Sequence, residues 1–316
     1  MPQSIFFSKY HGLGNDFLLL DCRENKIRVS PEHVRRLCHR TRGVGADGVL
    51  SISEPTVDEA DLLMQVHNSD GSLAETCGNG LRCFAWHAVR GISELANRQS
   101  LRIQTAAGIR EATVLSKDGD LAVVRVDMGS PGLTAEDVPT SDPLPRAGPV
   151  VEQRIRFSGL TVSLTAVSFG NPHAVIFDPD KDHELRFLGP ALERHKAFPR
   201  GANVGLAYLD QSGSILLEVW ERGVGPTSAC GSGACAAAVA AVLTGRKRAG
   251  ERIDVRLPGG NLCVEVDTEL SRVFLTGPAE HVFDGEFVAE SFFEGRQTPV
   301  EMEHRATGAA RGNGLE

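Results

Sequence analysis

The sequence predicts an α/β fold of the α+β kind. It has two pseudo-symmetric domains, each a mixed, barrel-like sheet around a central buried helix, with the active site in the interdomain cleft. Three observations carry that expectation. The chain repeats itself, its apolar runs are of strand length, and the run after each repeated cysteine is helical and apolar.

The repeat comes first. Residues 62–77 (LLMQVHNSDGSLAETC) and 215–230 (ILLEVWERGVGPTSAC) align without gaps, each an apolar run, polar residues, a glycine turn and a cysteine. Each cysteine opens a C-G-x-G segment, Cys77-Gly78-Asn79-Gly80 and Cys230-Gly231-Ser232-Gly233, at an offset of 153 residues. Upstream, Gly14-Asn15 matches Gly170-Asn171, and Gly45-Ala46-Asp47 matches Gly201-Ala202-Asn203, both at an offset of 156. Echoes in one order at nearly one spacing mean two homologous halves. We place them at 1–130 and 150–275. The stretch 130–150 has the Pro, Ser and Gly of a linker. Residues 291–316 lack an apolar period and read as a disordered tail.

The elements follow in chain order. Phe17–Asp21, Val49–Ile52, Leu62–Val66, Val123–Asp127, Ala174–Phe177 and Ile215–Trp220 are short apolar runs between Gly, Asp and Pro breaks, which is the strand signature. Phe84–Val89 and Ala234–Leu243 are the helical runs, and the second is apolar all round. Such a helix belongs inside a core. A cysteine at its start meets unpaired N–H donors and the positive end of the helix dipole, which favour a thiolate and a bound carboxylate. Two such ends facing each other put two thiols on opposite sides of one anion. That geometry suits taking a proton from one face of a carbon and returning it to the other.

Composition removes other classes. The chain has 316 residues, a 41% hydrophobic share, net charge −8 and mean hydropathy −0.13. The charge has the wrong sign for a nucleic-acid or anionic-membrane partner. Met1–Tyr10 lacks the basic region and apolar run of a secretory signal, so the expected location is cytoplasmic. Seven cysteines, an odd number, with no C-x-x-C pair argue against both a disulfide framework and structural zinc. No P-loop or H-E-x-x-H occurs, and none of the six lysines lies in the repeated segments to carry a Schiff base. The expectation is a small-molecule enzyme with no metal.

HGLGNDF (11–17), GVGADG (43–48), HNSDGSLAETCGNGLRC (67–83), FGNPHAV (169–175), ANVG (202–205), ERGVGPTSACGSGA (221–234) and LPGG (257–260) resemble diaminopimelate epimerase in order and spacing. The resemblance spans residue 5 to about residue 288 and implies a cofactor-independent epimerase, a homodimer, serving lysine and peptidoglycan precursor synthesis, with a strand near 276–290 returning to the first half. It implies that LL-2,6-diaminopimelate and the meso form are interconverted by a thiol–thiolate pair, Cys77 and Cys230. It implies that Gly78, Asn79, Gly231 and Ser232 hold the carboxylate at the reacting carbon, and that Asn15, Asn68, Asn171 and Asn203 line the pocket. Glu221 and Arg222 match the pair at the substrate's amine and far carboxylate, and His173 matches a residue that tunes the site. Cys83 and Cys235 are read as core residues.

Two positions depart from the pattern. Gly48 stands where some members carry a substrate-contacting Gln, and Pro226 where many carry Glu. Two other functions compete: a racemase of another amino acid, such as histidine, on the same scaffold, and a redox-sensing amino-acid-binding protein.

Overall fold

The computed structural model describes residues 4–23, 28–74, 77–145, 147–157, 159–179 and 184–288; the expected tail at 291–316 lies outside them. The first half comprises β1 (Ser4–Gly12), β2 (Asn15–Asp21), α1 (Pro31–Cys38), β3 (Gly48–Ser53), β4 (Leu62–Asn68), β5 (Leu73–Ala74), α2 (Gly78–Gly91), β6 (Ser100–Thr105), β7 (Gly108–Asp118) and β8 (Leu121–Gly129). After β9 (Gln153–Phe157) the same order returns. It runs β10 (Leu160–Ser168), β11 (Pro172–Phe177), α3 (Leu185–Glu193), β12 (Asn203–Leu209), β13 (Ile215–Glu221), β14 (Gly225–Thr227), α4 (Gly231–Leu243), β15 (Arg252–Leu257), β16 (Gly260–Val266) and β17 (Val273–Val288).

Within the first half the strands close a ring in the order β1, β2, β3, β4, β6, β7, β8, β17 and back to β1. The β2–β3 and β4–β6 pairs are parallel and the rest antiparallel. The second half repeats the pattern, with β11–β12 and β13–β15 parallel. The last strands cross over. β17 pairs with β16 and β8 through its first part, then with β1 through Glu280–Val288. In exchange the chain beyond β8 reaches Gly132, which bridges Ser168 at the end of β10. β17 therefore closes the ring of the first half, and an edge left open would invite pairing with other chains.

A helix fills each ring. On α4 every residue from Ala234 to Ala241 is 0% exposed, and on α2 Leu81, Cys83, Phe84, Ala85 and Ala88 are likewise 0% exposed. The alanine run lets strands close on α4 from all sides, which an amphipathic helix would prevent. The stretch between the halves is less free than its composition implies. Val138, Leu144 and Val150 are 2–3% exposed and pack into the outer core of the second half beside α3 residues Leu188 and Leu192. Among the described residues no helix is long and apolar enough to cross a membrane.

Candidate active site

The two repeated cysteines cap the two central helices. Cys77 and Cys230 have extended backbones, with φ −147° and −129°, and the helix begins at the next residue. The Gly80 N–H donates to Cys77 Sγ at 3.3 Å, and the Gly233 N–H to Cys230 Sγ at 3.4 Å. The helix starts meet. A Cβ added to Gly231 would lie 3.5 Å from Gly78 Cα, 3.4 Å from Asn79 Oδ1 and 3.0 Å from Leu275 Cδ2. One added to Gly78 would lie 2.9 Å from the same Leu275 atom. The two helix starts and Leu275 of the crossing strand β17 thus pack closely around the bare Cα atoms of both C-G steps.

On the α4 side, hydrogen-bond contacts run inward from the thiol. Cys230 Sγ is 3.6 Å from Ser232 Oγ, which is 3.1 Å from His173 Nε2. That nitrogen also meets Asn171 Oδ1 at 3.2 Å and Asn203 Nδ2 at 3.4 Å. It can donate to the first or accept from the second, so one imidazole tautomer selects one partner. The Arg222 N–H donates to Asn203 Oδ1 at 2.8 Å. Close by on β13, Glu221 Oε1 accepts from Thr227 Oγ1 at 2.6 Å.

The electrostatics reverse one expectation. A helix N-terminus was expected to lower the thiol pKa, and the amide bonds do act that way, but burial outweighs them. Burial pushes the Cys77 thiol up to about 11, and Cys230 goes well above the usual thiol range, with Glu221 adding to the rise. Burial raises the Glu221 carboxyl as well. Burial first, and then the Arg222 charge, lowers His173 to about 3. His173 is therefore neutral across the working range and takes up a proton only far below the pH at which an ordinary histidine does. The pH profile of kcat/KM should keep its inflections in His173→Asn while the rate falls. Disappearance of an inflection near pH 6.5 in that variant would assign the titration to His173 and overturn the neutral assignment.

The α2 side is held differently. Asn79 is 2% exposed, and its amide donates to Asn15 Oδ1 at 3.0 Å and, across the cleft, to the Ala229 carbonyl at 3.2 Å. Asn15 donates in turn to Asp47 Oδ2 at 3.0 Å. Asp47 shares Arg40 with Asp16, and Lys9 reaches Asp16 at 2.9 Å. Burial opposes ionisation of Asp16, but Arg40 and Lys9 prevail and hold its carboxyl down to about 2. Asn68 adjoins this group through the next residue, Ser69, whose N–H donates to the Asp47 carbonyl at 3.0 Å. Asn68 is exposed at the end of β4, and its side chain donates to Ser72 within its own turn.

Arg222 is exposed and lines a cavity of about 620 Å³ with Gly170, Pro172, Arg110 and Arg200, while its Nη1 donates to the Arg200 carbonyl at 2.7 Å. At position 48 a Cβ would stand 2.5 Å from the His67 carbonyl, so β3 and β4 close onto the bare Cα where a Gln would need space. Pro226 lies in β14, whose ladder partner is β13, and an edge strand tolerates a missing N–H. Cys83 and Cys235 are 0% exposed core residues. Sequence reasoning missed Thr227, Asp47 and Arg82. The first two lie inside the repeated motifs, whereas a buried arginine in a helix leaves no periodic signal.

The sequence profile of the family described as Diaminopimelate epimerase matches residues 7–134 and 165–282. The chain is 45% identical over 284 residues to a diaminopimelate epimerase of Desulforudis audaxviator, covering 89% of this chain and 99% of that protein. It is 43% identical over 297 residues to a chloroplastic diaminopimelate epimerase of Oryza sativa subsp. japonica, covering 90% and 81%. Among solved structures, a hydroxyproline epimerase from Agrobacterium vitis matches with TM-score 0.66 at 16% identity, covering 90% of this chain and 91% of that one. A methylitaconate-delta-isomerase matches with TM-score 0.61 at 14% identity, covering 94% and 99%. At those identities the two structures share the fold.

Proposed function

The chain belongs to the diaminopimelate epimerase family, and from that membership we propose that it interconverts LL- and meso-2,6-diaminopimelate with Cys77 and Cys230 as the acid–base pair. The observation that supports the mechanism is the meeting of two cysteine-capped helix starts, one from each half. The carboxylate beside the reacting carbon sits on the helix-start N–H groups, where the dipoles of α2 and α4 both favour an anion. The Cα then lies between the two sulfurs. One thiolate takes the Cα proton and becomes a thiol, and the opposite thiol delivers its proton to the other face and becomes a thiolate. The stereoisomer bound decides which cysteine is the base, and each turnover leaves the pair exchanged.

The raised thiols fit a site that stays protonated until substrate arrives. The incoming α-ammonium brings a positive charge next to the sulfurs, and an opposite charge within a few ångströms favours a thiolate. Neutral His173, through Ser232, holds the Cys230 side of the site without adding a competing charge. Asn15 and Asn79 hold the Cys77 side, anchored by the Asp16–Arg40–Asp47 cluster. Arg222 faces the distal carboxylate, and Glu221 the substrate's amine. The homodimer is proposed on the resemblance together with exposed Phe6, Val282 and Phe283 on β1 and β17, apolar surface of the kind a second copy covers.

The reading is tested by incubating the protein in heavy water with a panel of amino acids and following deuterium at Cα. Exchange with inversion on diaminopimelate, and little on histidine or lysine, is the expected outcome. Equal exchange on histidine would transfer the activity to a different amino acid, and no exchange on any of them would leave a binding protein.

A further inference from the structure

Among the described residues the largest fully buried side chain is a cation. Arg82, on α2, is 0% exposed, and its guanidinium faces carbonyl-type oxygens. Its Nε donates to the Pro278 carbonyl of β17 at 3.1 Å, its Nη1 to the Gly78 carbonyl at 3.4 Å and its Nη2 to Asn79 Oδ1 at 2.9 Å. Among the described residues no carboxylate is paired with it. Two glycines make its room. A Cβ on Gly12 would fall 2.9 Å from Nη2, and one on Gly277 3.2 Å from Nε. A buried guanidinium without a counter-ion carries a large desolvation penalty, so an apolar side chain would stabilise the fold better at this position.

The three acceptors say where the charge acts. Gly78 and Asn79 are the first two residues of α2, directly after Cys77, and the Asn79 amide runs on to the Ala229 carbonyl beside Cys230. We propose that Arg82 is a positioning residue for the epimerisation. It locks the first turn of α2 to β17 and, through Asn79, to the Cys230 loop, and it places a permanent positive charge behind the Cys77 thiol and the bound carboxylate. The assignment rests on the two-thiol reading above.

The groups around the thiol are consistent with that role. Besides the helix amides, Glu221 on β13 raises Cys77 and Arg82 lowers it, while Cys77 and Glu221 both raise Cys230. The thiols in Coulombic reach of Arg82 are Cys77 and Cys83 on α2 and Cys235 on α4. Of these, Cys77 is the partly exposed one. Removing the charge therefore raises Cys77 further, in the same direction as burial.

The test measures the resting protein, not turnover. The rate of Cys77 alkylation by iodoacetamide is followed by peptide mass spectrometry from pH 7 to 10 in wild type, Arg82→Lys and Arg82→Gln. A neighbouring charge shifts a pKa by about one unit or more, so Arg82→Gln should alkylate about tenfold more slowly at pH 8. Arg82→Lys, which keeps the charge, should recover most of that loss. Equal alkylation in Gln and wild type would overturn the electrostatic role. If Arg82→Gln fails to fold, Gly12→Ala takes its place, since the added methyl pushes the guanidinium without deleting it. Slower Cys77 alkylation with an unchanged melting temperature supports the role there, and an unchanged rate overturns it. If Cys77→Ala keeps its epimerase activity, the two-thiol reading fails whatever the alkylation shows.

Discussion

Cys77→Ala and Cys230→Ala should each lose epimerisation by ~10²–10⁴-fold or more, the usual cost of removing a positioned acid–base group. The effect is symmetric because the halves are symmetric, and in the proposed scheme each sulfur serves one face of Cα. Both variants should fold. Either change trims one sulfur at a helix cap, and the C-G-x-G backbone that shapes the turn remains. The measurement is the rate of diaminopimelate inversion in both directions, with melting temperature as the control for folding. A variant with a tenth or more of wild-type activity in either direction would exclude the two-thiol scheme.

The second large effect concerns the distal end of the substrate. Diaminopimelate carries an amino-acid group at both ends, and lysine lacks the far carboxylate. Lysine would leave Arg222 and the nearby asparagines without their anion, and a site built for a polar group rejects an analogue lacking it by ~10⁴-fold. Arg222→Ala should lower kcat/KM on diaminopimelate by about 10- to 100-fold, the worth of charge-assisted bonds to one carboxylate. Its side chain is exposed, so the melting temperature should barely move. The discrimination against lysine should shrink in the same variant. If lysine reacts as well as diaminopimelate in the wild type, Arg222 has another role, and the crowding at Gly48 and the rigid Pro226 become the first features to reinterpret.

The site was legible to different depths. Cys77 and Cys230 could be read because duplication made each the control for the other, and one C-G-x-G alone would have been a common turn. Asn171, His173 and Asn203 were readable as neighbours in motifs, and the structure joins them through His173 Nε2. Asn68 was readable in the same way, and its exposed side chain at the end of β4 donates to Ser72 in its own turn. A motif records which residues are near in sequence, not which side chains reach the cleft. The sign of the thiol shift was misjudged for a related reason. Helix polarity follows from local order, but desolvation depends on how many elements close around the sulfur.

The two-fold pattern of strands and helices, the two cysteine caps and the buried nature of α4 were determined by the sequence itself. These are local matters of period, turn chemistry and apolar content, expressed within a few residues. Other features were decided only by tertiary structure: the bridge that ties the chain after β8 to the end of β10, the lack of room at Gly48, and the uncompensated charge of Arg82. Each depends on atoms far apart in the chain, such as Gly132 with Ser168, residue 48 with the His67 carbonyl, and Arg82 with the Pro278 carbonyl. Their energies come from packing density and desolvation, which exist only once the distant segments have closed around one another.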